Sequence, residues 1–209
     1  MTRWNQWSGA RSPKGEHDLS TNARFDTEPF QRNETAAGCG MYPELFRQMK
    51  KQLAQLDRWL EAADAFAQAK TFDSSVFLGI RLAPDQFPFA KQVQTACDTA
   101  RVAAARLTGK VAPAQPDTEQ TIEELRARVQ GAVAYLDAFT PADFDGAATR
   151  VITQPRWEGK TMTGADYFLE HAQPNFFFHL THCYAILRHN GVKLGKRDYL
   201  GTLTQKPAA

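Results

Sequence analysis

Four of the five histidines in this chain fall within a short stretch near its C-terminal end. If that stretch is helical, at about 100° per residue, one stripe along it holds His171, Asn175, Phe178, His179, His182, Ile186 and His189. The other positions are mostly apolar, so the stripe is where a helical bundle would place a metal or proton-transfer site. Imidazoles that only hydrogen-bond inside a core produce the same pattern.

Two of these histidines have a spacing that suits metal binding. His179 and His182 lie three residues apart on one helix face, so both can bind one ion together with a carboxylate such as Asp85 or Asp98. This mixed nitrogen and oxygen set, with open coordination positions, suits zinc, nickel or iron(II). We predict His179, His182 and Asp85 as metal ligands. The alternatives are neutral histidines hydrogen-bonded in a polar core seam, and a helix N-cap role for Asp85.

A second pair of polar residues is predicted to line a ligand pocket. His171 and Asn175 lie four residues apart and share a helix face, but His171 is two turns from His179, about 12 Å along the axis. That distance is too long for the two histidines to share one ion. The alternative for Asn175 is a bond to a carbonyl freed by Pro174. The sequence has no GxSxG, P-loop, GxGxxG or HExxH motif, so those reaction classes lack support.

The elements that must position these residues are helices. Apolar residues at three- and four-residue steps predict four long helices at 42–70, 84–107, 118–139 and 163–190. Gly109 is a stop signal, Thr121 begins a capping box, and Pro174 is predicted to kink or divide the last helix. Short extended runs at 150–153 and 160–163 predict a hairpin. The fold class is therefore all-α, a four-helix bundle with a short β-hairpin before the last helix.

Composition and charge fit one soluble globular domain. The chain has 209 residues, of which 43% are hydrophobic and 23% charged, and a net charge of +2. That charge is too small to favour nucleic acid or a membrane surface as a partner, and no apolar run is long enough to span a bilayer. Three cysteines without a CxxC pair suit a reducing compartment, so we expect a cytoplasmic protein.

The first part of the chain differs from the rest. Residues 1–40 are rich in Arg, Ser, Asn, Thr and Gly and have no apolar periodicity, so we expect a disordered extension. A start codon assigned too far upstream of Met41 would explain it. We place the folded domain at 41–201 and a disordered tail at 202–209.

Several motifs point to a known family. The segments are Leu-Ala-Pro-Asp-Gln-Phe-Pro at 82–88, Pro-Asn-Phe-Phe-Phe-His at 174–179, Leu-Arg-His-Asn-Gly-Val at 187–192 and Gly-Lys-Arg-Asp-Tyr-Leu-Gly at 195–201. Together they resemble a bacterial domain-of-unknown-function family in the DinB-like (YfiT-like) superfamily. The resemblance implies an up-down-down-up bundle, often dimeric. It also implies a divalent metal held by three histidines, one on the second helix and two in an HxxxH pair on the fourth.

The superfamily's ligand positions are only partly matched. Its second fourth-helix histidine falls on His179, but its first falls on Asn175, and the second helix has no histidine. The polar residues nearest the expected second-helix position are Gln92, Gln94 and Asp98, and we add Gln92 and Gln94 to the predicted pocket. We therefore predict a homodimer with a degenerate metal site that binds a small ligand or partner. The alternative is a divergent metal-dependent hydrolase or thiol transferase that uses His179, His182 and a second-helix polar residue.

Overall fold

The computed structural model describes residues 38–206. The extension predicted to be disordered covers residues 1–40, and residues 1–37 of it lie outside the described part of the chain. Residues 38–40 belong to the first helix. Of the predicted C-terminal tail, residues 202–206 are described and have no regular secondary structure, and residues 207–209 lie outside the described part.

Most of the described chain is helical, which confirms a mostly helical fold with a short hairpin. The long helices are α1 (Gly38–Ala69), α2 (Phe89–Thr108), α3 (Ile122–Asp137) and α4, which consists of Gly164–Asp166, Tyr167–Ala172 and Gln173–His189 in direct succession. A short helix, α5, covers Lys196–Leu200. Single 3₁₀ segments cover Ser74–Gly79, Pro141–Phe144 and Pro155–Trp157. The hairpin pairs β1 (Val151–Ile152) antiparallel to β2 (Met162–Thr163).

Local sequence signals explain where α2 and α3 begin and end. Helix α2 starts at Phe89, five residues later than predicted, because the segment between Pro84 and Pro88 stays in a turn and Pro88 takes an extended conformation. It ends as predicted at Gly109, which adopts a φ of 72° that favours glycine. Helix α3 is preceded by the predicted capping box, in which Thr121 and Glu124 each accept a hydrogen bond from the other's backbone N–H.

The core lies between helices that pack in pairs. Helix α2 packs against both α3 and α4, and α1 packs mainly against α3. The buried face of α2 consists largely of alanines, whose small side chains allow close helix approach: Ala96, Ala100, Ala103 and Ala104. Among residues 38–206, no helix is both long enough and apolar enough to cross a bilayer.

Helix α4 runs through Pro174 without being divided. Residues Tyr167–Ala172 form a π-helical turn, in which the N–H of Gln173 donates to the carbonyl of Phe168, five residues back. In a regular α-helix the proline ring clashes with the carbonyl four residues before it. The π-helical turn contains that carbonyl and alters its position relative to the ring of Pro174. Of the two predicted outcomes, a kink or a division, the division does not occur, and the helix accommodates Pro174 by widening.

A buried arginine fastens the connection between α2 and α3. The side chain of Arg128 is 1% exposed and forms ion pairs with Asp98 (2.9 Å), Asp117 (3.0 Å) and Glu119 (2.8 Å). It also donates to the carbonyl of Pro116 at 3.1 Å. The long crossover is thus held against α2 and α3 by charged hydrogen bonds, which fixes the side of α2 that faces α4.

Candidate functional site

Helices α2 and α4 bring the superfamily's ligand positions face to face. Asn175 on α4 donates its amide N–H to the hydroxyl of Thr99 on α2 at 2.8 Å. One helical turn further along α4, the ring of His179 lies 2.7 Å from the side-chain oxygen of Gln92 on α2. The two helices are therefore joined by direct hydrogen bonds at these positions.

His179 is buried in its neutral form. It is 6% exposed, and because the Gln92 oxygen can only accept, the hydrogen of the ring lies on Nδ1. The Gln92 amide is oriented by a bond from its nitrogen to the carbonyl of Phe87 at 3.1 Å, and the Phe87 ring stacks on the imidazole. Burial, with smaller contributions from the charges of His182 and Lys91, lowers the pKa of His179 to about 4. Its Nε2 lone pair has no hydrogen-bond partner among the described residues.

The second predicted metal-ligand histidine has both ring nitrogens engaged. Nδ1 of His182 donates to the carbonyl of Phe178 at 2.7 Å. Its Nε2 therefore accepts from the side-chain amide of Gln86, at 3.2 Å. This half-buried ring offers no free lone pair towards His179.

The carboxylates predicted near this pair do not complete a metal site. Asp85 is exposed, and the two oxygens of Asp98 accept from Arg101 (3.2 Å) and Arg128 (2.9 Å). Within the described range, no three His, Cys, Asp or Glu side chains are grouped in a way that could hold a metal ion. The set His179, His182 and Asp85 is thus not assembled, and these donors do not fit the three-ligand ion that the resemblance implies.

An open cleft lies beside Asn175, towards the N-terminal end of α4. Its volume is about 370 Å³, and α2, the π-helical turn of α4 and the loop after β1 form its walls. The polar residues of its lining are Asp98, Thr99, Arg106, Gln154, Arg156, His171 and Asn175. His179 and His182 are not among its lining residues, whereas Asp98, the alternative carboxylate, and Asn175 are.

His171 presents an unpaired donor in this cleft. Its Nε2 accepts from the guanidinium of Arg156, so Nδ1 carries the hydrogen, and Nδ1 is buried without a partner among residues 38–206. The ring stacks on Tyr167, with centroids 5.5 Å apart, and meets the edge of Trp157. Burial, followed by the charges of Arg156 and Arg106, holds the pKa of His171 below its ordinary value. The ring is therefore neutral and oriented.

Gln154 gives the cleft a second donor of the same kind. The residue is 8% exposed, and its side-chain nitrogen is buried with no hydrogen-bond partner in the described part of the chain. It lies just after β1, in the loop that also carries Arg156. Two unpaired buried N–H donors on adjacent walls of one cleft are unusual for a folded protein.

The predicted site residues are divided between different places. His171 and Asn175 line the cleft. Gln92 lies outside it and is hydrogen-bonded to His179. Gln94 is buried and donates to Glu119 at 2.8 Å, away from the cleft. The predicted stripe is also divided, because Phe178 is 53% exposed and Ile186 is fully buried.

Sequence reasoning missed most of the cleft lining, including Arg106, Gln154 and Arg156. Arg106 lies two turns after Thr99 on α2, a spacing that could have indicated a shared face. Gln154 and Arg156 belong to a loop, and no sequence signal placed that loop against α4.

Comparison with known proteins agrees with the fold. Residues 41–200 match the family model described as a domain of unknown function (DUF1993). A crystal structure of a DinB family member protein from Shewanella denitrificans is 49% identical in sequence, with a TM-score of 0.79. The match covers 81% of this chain and 97% of that one. No curated protein matches the chain.

Proposed function

The chain belongs to the DUF1993 family, within the DinB-like group, and from that premise we propose that it binds a small ligand in the cleft beside Asn175. In this proposal the superfamily's metal position has degenerated into a hydrogen-bonded contact between α2 and α4. The four long helices are proposed to follow the up-down-down-up order of the DinB-like bundles.

One observation carries this proposal: the cleft wall holds buried donors that nothing in the described chain satisfies. The unpaired atoms are Nδ1 of His171 and the side-chain nitrogen of Gln154. These two atoms have almost no accessible surface, so a ligand must displace the His171 and Gln154 side chains slightly to reach them. An acceptor that does so would recover about 1–3 kcal/mol, which is what an unpaired buried donor costs. Clefts between the helices of a bundle are also where such folds hold ligands.

The contact between His179 and Gln92 supports the degenerate metal position. Where the superfamily expects a second-helix histidine, this region of α2 supplies a glutamine that hydrogen-bonds the α4 histidine directly, at 2.7 Å. The first histidine of the HxxxH pair is replaced by Asn175, which bonds Thr99 at 2.8 Å. Both substitutions replace a shared ion by side-chain contacts between the helices.

A second candidate function is a divergent metal-dependent hydrolase or thiol transferase. The observation that favours it is the Nε2 lone pair of His179, since metal-binding histidines commonly donate their other ring N–H to a nearby oxygen, as His179 does to Gln92. In this reading His179 and His182 would hold the ion with a polar residue of α2. Elemental analysis of untagged protein purified without chelator tests it: stoichiometric metal that disappears in His179→Ala would favour the enzyme.

Ligand binding in the cleft can be tested by screening small molecules while following the indole N–H of Trp157 by NMR. Val102 lines the cleft, so Val102→Trp should block it, whereas Val133→Trp places the same side chain in another surface groove and is the matched control. We expect compounds that shift the Trp157 signal to lose binding in Val102→Trp alone. Binding that survives this variant, or no Trp157 shift with any compound, would contradict the proposal. Melting temperatures of both variants establish that they fold.

A further inference from the structure

We propose that the ligand of this cleft carries an oxyanion, a carboxylate or a phosphate group. The inference rests on the proposed function, because it names the chemical class of ligand for the same cleft. It is carried by the two arginines of the cleft wall, which are independent of the unpaired atoms that indicate a ligand.

Two arginines in the cleft lack an acidic partner. Arg106 donates to the hydroxyl of Tyr167 at 3.2 Å and lies over the Tyr167 ring, 5.6 Å from its centroid. Arg156 donates to the ring of His171. Neither guanidinium forms an ion pair within the described part of the chain. Each guanidinium carries five N–H donors in a planar fork that fits carboxylate or phosphate oxygens, and most of those donors remain unused here.

The carboxylate on the cleft wall does not neutralise these arginines. Asp98 lines the cleft, but its oxygens are bound by Arg101 and Arg128 from the opposite side. Its charge is therefore already balanced within the bundle. The cleft is left with the positive charge of Arg106 and Arg156, which favours an anion over a neutral or cationic ligand.

The neutral groups of the cleft point to the same chemistry. Nδ1 of His171 and the side-chain nitrogen of Gln154 are both donors, so they complement a ligand group that can only accept. Val102, Pro155 and the Tyr167 ring complete the lining and can contact an apolar portion of the molecule. The arrangement thus fits a small molecule with an anionic head and a short carbon skeleton.

The test uses three probes at constant ionic strength: inorganic phosphate, succinate and the neutral diamide succinamide. Binding is followed by NMR at the Trp157 indole N–H, whose ring lies next to His171. We expect phosphate, succinate or both to give saturable shifts, and Arg106→Gln and Arg156→Gln each to weaken binding at least about tenfold, as loss of a charged hydrogen bond predicts. Arg188→Gln removes an exposed arginine elsewhere on α4 and should leave binding unchanged.

The outcomes distinguish the proposed ligand cleft from the inference that its ligand is an oxyanion. Saturation by phosphate alone or by succinate alone identifies which oxyanion the cleft prefers, and Arg156→Lys, which keeps the charge, should retain part of that binding. If succinamide binds and the anions do not, the oxyanion inference is wrong while the ligand cleft stands. Weakening by Arg188→Gln equal to that by Arg106→Gln would reduce the effect to net charge and overturn the inference. So would the absence of any shift with both anions.

Discussion

His179 offers a direct test of the site because burial moves its titration far from that of the unfolded chain. Its folded pKa is about 4, against an ordinary value of 6.5. Between these two values the unfolded chain binds more protons than the native protein, so stability falls as the pH falls through this window. For one such group, lowering the pH from 7 to 5 is expected to cost about 2 kcal/mol of the free energy of unfolding.

The perturbation is His179→Gln, which keeps a polar side chain opposite Gln92 but removes the titrating ring. We expect the variant to lose about 2 kcal/mol less stability than the wild type between pH 7 and pH 5. The measurement is urea unfolding followed by far-UV circular dichroism at both pH values. His171 contributes in the same direction in both proteins, since its pKa is also lowered by burial, so the difference between them isolates His179.

His189→Gln is the matched control, because it removes an exposed histidine from the same helix. It should keep the pH dependence of the wild type. An equal loss of stability on acidification in His179→Gln and in the wild type would refute the reasoning. It would mean that the His179 ring is not held neutral between the helices.

Two further predictions concern the scaffold that positions the cleft, and both use free energies of unfolding from urea titration. Arg128→Met should cost about 3–5 kcal/mol because it leaves the nearly buried carboxylate of Glu119 without its ion pair, whereas Arg126→Met, at a partly exposed ion pair, should cost about 1 kcal/mol or less. Gly164→Ala should cost about 3 kcal/mol, since its Cβ would lie 1.9 Å from the carbonyl oxygen of Ala147, whereas Gly131→Ala, in open space on α3, should add about 0.5–1 kcal/mol. Similar effects within either pair would contradict these arguments.

Local signals in the sequence were enough to predict most of the helices. The start of α3 follows from hydrogen bonds between Thr121 and Glu124, and the end of α2 follows from the backbone freedom of Gly109. The sequence left open whether Pro174 kinks or divides the helix, because the outcome depends on the turn before it. A widened turn and a broken helix have the same sequence signature, and only the surrounding packing distinguishes them.

The site was harder to predict because its parts come from distant segments. The spacing of His171 and Asn175 on one helix indicated a shared face, and both residues do line the cleft. Arg156 and Gln154 reach the same place through a loop whose path depends on the hairpin and on tertiary packing. The spacing of residues also could not predict that His182 forms hydrogen bonds to Gln86 and to the carbonyl of Phe178 in its own helix.

The π-helical turn acts as a rotational offset within α4. It contains more residues than an α-helical turn, so the residues before it are rotated about the helix axis relative to those after it. Deleting one residue between Tyr167 and Ala172 would restore the α-helical phase and turn the preceding residues by about 100°. Tyr167 would then face away from Arg106, while His179 would keep its place. A single-residue length change in this turn would therefore remove the Tyr167 wall of the cleft while leaving the contact between His179 and Gln92 in place.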